Sequence, residues 1–435
     1  MISVKDFGAV GDGLSHPLSS ITAMGGLNTQ GWTLSQWQGT FFPNATSLSQ
    51  EIDFLAHERA LQFGVEVSAP AGVYLLGASP LVASVDGARL IGAGINATTW
   101  RTANVAGDAV VFRNMSGGGI FNGRLTSSVA KTAGAAVLFE NGHNLSSTGV
   151  RIDSQPGQSF HIAFGMKGGA NQFLYTVEDF EINGGAYGFF IGTDSSLVQD
   201  VWIGKGIAAS CTEAGLRVDN VGGLYIYNSP DLLGCKYGLW TYPASGQTVS
   251  GLVVSGFLAD TSTGHGINLT TNGGTVVDCA FTTVWTSSAG TTLTGVSTSE
   301  AYAGVWISAN GGQISGLQFD GLRSLNNVSN GVHIASGSDI SISNPQITYN
   351  SALSVGTFHG IYIGAGAENV SVTGGRSGPL GKFKTLGKPS SQAYGVFVDA
   401  GAQYTAINGV NARGNVSGDY VNAGSHSWIT PSSWP

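Results

Sequence analysis

The sequence predicts an all-β protein: a single-stranded right-handed parallel β-helix, a solenoid, with an N-terminal capping α-helix. Three observations carry this. A short glycine-led strand motif recurs along the chain, and a second strand-like segment of alternating apolar residues lies between its copies. Glycine, at 67 of 435 residues, is about twice its usual share. Charged residues make up only 10%, against about 25% in an ordinary soluble chain.

The motif is glycine, apolar, any residue, apolar. It reads GFFI at 188, GLRV at 215, GLWT at 238, GINL at 266, GVWI at 304, GVHI at 331, GIYI at 360 and GVFV at 395. Weaker copies, VLFE at 137 and IAFG at 162, lie upstream. Between copies come LVQDVWI, GLYIYNS, TVSGLVV, TVVDCAF and QISGLQF. Short strands with one apolar face cannot bury that face alone. Stacked as coils of about 27 residues they share one continuous core. The 3.6-residue apolar spacing of helical repeats is absent.

One segment reads as a helix: SLSQEIDFLAHERALQF, residues 47–63. It opens with a Ser47-x-x-Gln50 capping box, and Leu48, Ile52, Leu55 and Arg59 follow at helical spacing. The open end of a solenoid exposes apolar core and unpaired strand edges, so this helix is expected to cap the N-terminal end. The chain then divides into residues 1–76 (strand, turn, insertion and capping helix), 77–419 (coils) and 420–435 (a C-terminal tail).

Composition excludes several function classes. The formal charge is −8, with 18 Lys and Arg and no basic run, which argues against nucleic acid. No run of about 18 apolar residues exists, so no membrane span is expected. The opening MISVKDFGAVGDG lacks the basic and apolar segments of a signal peptide. Cys211, Cys235 and Cys279 are too few and odd in number for a disulfide framework, so buried free thiols are expected. No His/Cys cluster has zinc spacing and no glycine-rich loop leads from strand to helix. No metal or cofactor is expected.

The opening ISVKDFGAVGDG, followed by a helix and then VEVSAPAGVYLL with Pro70, Gly72 and Tyr74, resembles the pectate-lyase-like superfamily of β-helix proteins. That superfamily includes polygalacturonase-type glycosidases, polysaccharide lyases and the depolymerising tailspikes of bacteriophages. The resemblance implies an enzyme that cleaves glycosidic bonds of a polysaccharide, a glycoside hydrolase ahead of a uronate-specific lyase. A non-catalytic glycan-binding adhesin is the alternative from another class. The resemblance also implies a homotrimer and an extracellular or virion-associated setting. The string GHGI at 264 is similar to the Gly-His-Gly of polygalacturonases. The paired aspartates and Arg-x-Lys of that group are missing, so it is read as the repeat's own glycine position.

In each motif copy the two apolar residues face inward, so the residue between them and the one after face outward. Stacking predicts one outward column of Leu138, Ala163, Phe190, Arg217, Trp240, Asn268, Trp306, His333, Tyr362 and Phe397. Its neighbour begins Glu140, Gly165, Gly192, Asp219, Tyr242. So many aromatics on one face suit sugar rings or burial between protomers. Gly165 and Gly192 are expected to leave a floor beside Asp219 and Arg217, with Trp240 and Tyr242 beyond and Lys167 and Asp194 two residues along. Glycosidic hydrolysis needs two carboxyls about 5–9.5 Å apart. Asp194 and Asp219 are the expected pair, with Glu181, beside Trp202, the rival acid. Arg217, Trp240, Tyr242, Lys167, Trp202 and Trp306 are the expected substrate contacts. Asp179, Asp200 and Asp278 recur at one place in their segments and are read as bend supports.

Overall fold

The computed structural model describes residues 1–154, 157–170, 172–194, 196–379 and 391–432. It divides into two units, Met1–Phe190 and Ile191–Pro435. Both are built from coils of parallel strands, each strand hydrogen-bonded to its counterpart in the next coil.

In the N-terminal unit three stacks form. Glu66–Ala69 pairs with Arg89–Gly92 and this with the first half of Gly119–Ser127, making the first sheet. Gly72–Gly77, Thr98–Thr102 and the second half of Gly119–Ser127 make the second. Leu81–Ala83, Val110–Arg113, Ala135–Glu140 and Ile162–Lys167 make the third. Phe112 meets Phe139 edge-on at 5.9 Å inside the coils, and Phe164 stacks on Phe189 at 5.3 Å.

The KDFGAVGDG opening works as a hub. The side chain of Ser3 accepts from Lys5 N and that of Asp6 from Ser3 N, closing a 3₁₀ turn over Val4–Phe7 with Val4 buried. Asp53, itself buried, then gathers three backbone N–H groups. Val10 and Gly11 donate to Oδ1 at 2.7 and 3.1 Å, and Leu75 donates to Oδ2 at 3.1 Å. The Pro-x-Gly-x-Tyr segment closes the same knot. The Tyr74 hydroxyl donates to Pro70 O at 3.0 Å, and a Cβ on Gly72 would sit 2.5 Å from Gly11 O. Only glycine lets these backbones approach so closely.

Asp53 belongs to a helix, α2, spanning Ile52–Leu61, which packs on the 3₁₀ turn and on the strands Glu66–Ala69, Gly72–Gly77 and Leu81–Ala83. Its start differs from the expected 47. Gln50 Oε1 accepts from Thr46 N and Ser47 N, and Ser47 Oγ from Ser49 N, so these side chains close a tight turn ahead of the helix. Glu51 occupies the N-cap without a side-chain capping bond, its carboxylate accepting instead from Ser15 Oγ at 2.6 Å and His16 N at 2.7 Å. His57 anchors the far face: Nδ1–H donates to Asp53 O at 2.6 Å and Nε2 accepts from Trp100 Nε1 at 3.1 Å. An earlier helix, α1, spans Leu34–Thr40 and buries Trp37. Its Thr33–Gln36 capping box was overlooked because seven residues carry too little periodicity.

The C-terminal unit repeats the scheme. Its first sheet runs from Val198–Ile203 through Val221–Ile226, Thr248–Ser255, Thr275–Thr282 and Gln313–Asp320. Its second begins with Gly206–Ala209, Asp231–Leu233 and Leu258–Asp260. Its third holds Ala214–Val218, Tyr237–Thr241, Ile267–Thr270, Val305–Ser308, the starts of Val332–Ser343 and Ile361–Thr373, then Tyr394–Val398 and Gly418–Asn422. Strand pairing continues to Trp428–Thr430, which lies beside Ala406–Asn408. Phe281 stacks on Phe319 at 4.5 Å.

Asp179, between Phe173–Glu178 and Phe180–Asn183, and Asp200 and Asp278, at kinks inside Val198–Ile203 and Thr275–Thr282, take positive φ of 48°, 52° and 54°. That is the bend-support role expected of them, in a conformation that short polar side chains tolerate. Cys211, Cys235 and Cys279 are buried and unbridged, as expected. Among the described residues no helix is long and apolar enough to cross a membrane.

Asp53→Asn tests the hub. An amide keeps one acceptor and turns an NH₂ toward a backbone donor, so about 2 kcal/mol of stability should be lost. A lower midpoint of thermal unfolding by circular dichroism is expected; an unchanged midpoint would contradict the hub.

Candidate functional site

The outward column of the third sheet in the C-terminal unit follows the expected register. Arg217 lies opposite Trp240, Trp240 opposite Asn268, Asn268 opposite Trp306, Trp306 opposite His333, His333 opposite Tyr362 and Tyr362 opposite Phe397. Strand spacing of about 4.8 Å brings the rings into contact. Trp306 and His333 centroids are 4.2 Å apart, His333 and Tyr362 4.6 Å, and Tyr362 and Phe397 5.6 Å.

A second file of rings flanks this column. Tyr237 lies 5.1 Å from Trp240, His265 stacks on Trp306 at 5.0 Å, and His359 stacks on Phe397 at 4.6 Å. Trp306, His333, His359, Tyr362, Asn330 and Phe358 line a cavity of about 360 Å³. Its wall is almost wholly apolar apart from the imidazoles and the Asn330 amide.

Asn330 sets the hydrogen-bond order there. Its Oδ1 accepts from His359 N at 2.6 Å, which leaves Nδ2 to donate to His333 Nδ1 at 3.0 Å. His333 therefore carries its proton on Nε2. His265 is fixed likewise, Nδ1 accepting from Ala303 N at 2.9 Å. Burial among rings disfavours the imidazolium. It pulls His265 down to about 3 and both His333 and His359 down to about 4. On the far side of the column, the Tyr362 hydroxyl donates to Asp399 Oδ2 at 2.6 Å. Burial, reinforced by that carboxylate, pushes Tyr362 up to about 12.

At the start of the column Arg217 and Asp219 form a two-pronged ion pair, Nε to Oδ1 and Nη2 to Oδ2 both at 2.9 Å. The guanidinium lies over Trp240 at 4.6 Å and Tyr242 at 5.6 Å, a cation–π arrangement. Asp219 is only 7% exposed. Burial raises its pKa above the ordinary carboxylate range despite the Arg217 charge.

The structure thus brings together four expected residues, Arg217, Asp219, Trp240 and Tyr242, and places Trp306 on the same column two coils on. Asp194 is engaged elsewhere, its Oδ1 accepting from Ser196 N at 3.0 Å in a local turn. Trp202 lies on the first sheet, 39% exposed and stacked on Tyr225 at 4.7 Å. In the N-terminal unit, Glu181 accepts from Asn183 Nδ2 at 3.2 Å and pairs with Arg151 at 3.4 Å. Lys167 lies opposite Glu140 on the third sheet.

The glycine floor is not formed. Gly165 lies opposite Leu138 and Ala163 is displaced with it, because Phe164 and Met166 are the residues aligned with Val137 and Phe139. A two-residue slip keeps the same faces, so apolar alternation alone does not fix it. Gly192 has φ +76°, and a Cβ there would meet Asn220 N at 2.5 Å. That glycine serves the turn.

His265, His359 and Asn330 were overlooked as site residues. The signal was present: His265-Gly266 and His359-Gly360 both set a histidine immediately before the motif glycine, beside the outward column. Among the described residues no group of three His, Cys, Asp or Glu is placed to hold a metal ion.

Imidazole signals in an NMR pH titration should show His265, His333 and His359 neutral from pH 7 downward, with protonation only near pH 4 or below. Titration of all three near their ordinary value of about 6.5 would contradict the buried, ring-flanked site.

No protein-family model matches the chain, and no curated protein does. Solved structures do. Tailspike protein 3 of bacteriophage CBA120 is 12% identical with a TM-score of 0.67, over 100% of this chain and 62% of its own. This chain therefore spans under two thirds of that tailspike. The A-module of mannuronan C-5 epimerase AlgE4 from Azotobacter vinelandii is 15% identical with a TM-score of 0.52, over 99% and 100%. A PL6 alginate lyase in complex with a trisaccharide is 11% identical with a TM-score of 0.51, over 91% and 92%. All three are right-handed parallel β-helix proteins. The chain has the right-handed parallel β-helix fold.

Proposed function

We propose that the chain is a polysaccharide-cleaving enzyme that holds its substrate along the third sheet of the C-terminal unit. One observation carries this reading: the ring column from Trp240 to Phe397 with neutral imidazoles set into it. Flat rings offer apolar area to sugar faces, and the imidazole and amide groups supply the few directed polar contacts such a site needs. Similarity to a mannuronan epimerase and to a lyase solved with a trisaccharide supports a polysaccharide substrate.

Within this reading the cavity favours elimination. One group must take the proton next to a uronate carboxyl while another gives a proton to the departing glycosidic oxygen. His333, its proton set on Nε2 by Asn330 donating to Nδ1, suits the hydrogen-bond donor to the departing oxygen, and His359, with Nδ1 unpartnered among the described residues, the proton acceptor. Arg217, four coils and about 19 Å from His333, is a cation for another uronate along the same face. Hydrolysis is the second reading, favoured by the raised pKa of Asp219 beside Trp240 and Tyr242, with Asp194 as partner acid.

Reducing-end release from a panel of capsular, plant and microbial glycans, read with the ultraviolet absorbance of unsaturated products, separates these chemistries. His333→Gln should lower turnover at least about a hundredfold with unchanged circular dichroism, and activity should fall as pH drops through about 4. Loss of turnover in Asp219→Asn but not His333→Gln, with saturated products, would overturn elimination in favour of hydrolysis. Binding without any release would leave a glycan-binding adhesin.

An extracellular or virion-borne homotrimer belongs to the same proposal. Trp202, Tyr225 and Val253 stand opposite one another on the first sheet, with Trp202 and Val253 39% and 41% exposed. Light scattering should give three times the chain mass of 44.6 kDa; one-chain mass across a concentration range would contradict it.

A further inference from the structure

We propose that a cleft on the second sheet of the N-terminal unit binds a compact oxyanion, a carboxylate or sulfate, at Arg101 and Arg124. The cleft belongs to a different sheet from the ring column, and nothing in the reading above depends on it.

Its charges come from stacked coils. Thr99, Arg124, Arg151 and Glu181 stand opposite one another in one column. Arg101, Thr126, Asp153 and Asn183 form the next. A cavity of about 420 Å³ opens between them, lined by Thr99, Arg101, Arg124, Thr126 and Asp153.

Asp153 is the internal counter-ion. It is paired with Arg124 Nη2 at 2.5 Å and takes Arg151 Nε on both oxygens at 2.9 Å and Asn183 Nδ2 at 2.9 Å. Burial works against its charge, yet these donors hold its pKa below the ordinary range. Glu181 takes the remaining reach of Arg151 at 3.4 Å. Three guanidiniums thus face two carboxylates, and Arg101 is the cation left over. Among the described residues it makes no side-chain hydrogen bond or ion pair.

A network that only braced the coils would balance its charges, because an unmatched cation adds nothing to packing. This wall also keeps two buried polar atoms, Arg124 Nε and Thr126 Oγ1, without partners. Such atoms cost stability and are retained where a site needs them. Arg124 is already held in place by Asp153, so its order does not have to be achieved on binding. The guanidinium fork matches the two oxygens of a carboxylate or sulfate. Among the described residues no aromatic ring lines the cleft, which fits recognition of charge rather than of a sugar face.

The oxyanion is either a substituent of a glycan or a free ion. Isothermal titration of the full chain with an oligouronate, a neutral oligosaccharide of equal length and sodium sulfate distinguishes them. The oligouronate should bind, and Arg101→Gln should weaken it at least about tenfold, the loss of one charged contact. The unfolding midpoint should not move, since Arg101 holds no partner in the fold. Arg101→Lys should recover part of the affinity. Oligouronate binding tighter than sulfate identifies a glycan-borne group, and equal affinity identifies the free ion. Binding that is unchanged in Arg101→Gln, equal for the neutral oligosaccharide, or absent for both anions would overturn the proposal.

Discussion

A coil of this chain can bury its apolar residues only against the next coil. Strand hydrogen bonds hold like positions about 4.8 Å apart, so every outward position becomes a column whose members touch. Stability and surface chemistry therefore come from the same register. Where the register starts, the chain spends a buried carboxylate on it. Asp53 ties the opening turn, α2 and the strand Gly72–Gly77 together through three backbone donors.

The character of the ring column follows from that spacing. A histidine set between a tryptophan and a tyrosine, as His333 is between Trp306 and Tyr362, loses water from both ring faces. Desolvation then keeps it neutral at pH values where an exposed histidine takes a proton. Asn330 adds direction by bonding one ring nitrogen and leaving the other for a ligand. The N-terminal unit applies the same stacking rule to charged residues. Its second sheet becomes a row of guanidiniums and carboxylates instead of rings.

Much of this was legible in the sequence. The motif glycines set the outward column from Arg217 to Phe397 without error, because each copy carries its own phase mark. The strand at 162 lacks the leading glycine, and there the reading slipped by two residues. The helix was recognised, but its start was set five residues early: Ser47 and Gln50 have the residue types of a capping box and use them to close a turn. What side chains do with their hydrogen bonds was not legible. Asp194 and Asp219 have the right residue type for acid–base work. Only the structure places one in a turn with Ser196 and the other in an ion pair with Arg217. The histidine before Gly266 was read as part of the repeat and the one before Gly360 was passed over as a site residue, since their value depends on Trp306 and Phe397 from neighbouring coils.

The central claim is that glycan lies on the ring column of the third sheet. Backbone amide exchange, measured by mass spectrometry with and without oligosaccharides from the digested polysaccharide, tests it most directly. Slowed exchange at Val305–Ser308, Val332–Ile334 and Ile361–Ile363, with little change on the first sheet, is the result this account predicts. Protection confined to the first sheet, with those three strands unchanged, would contradict it.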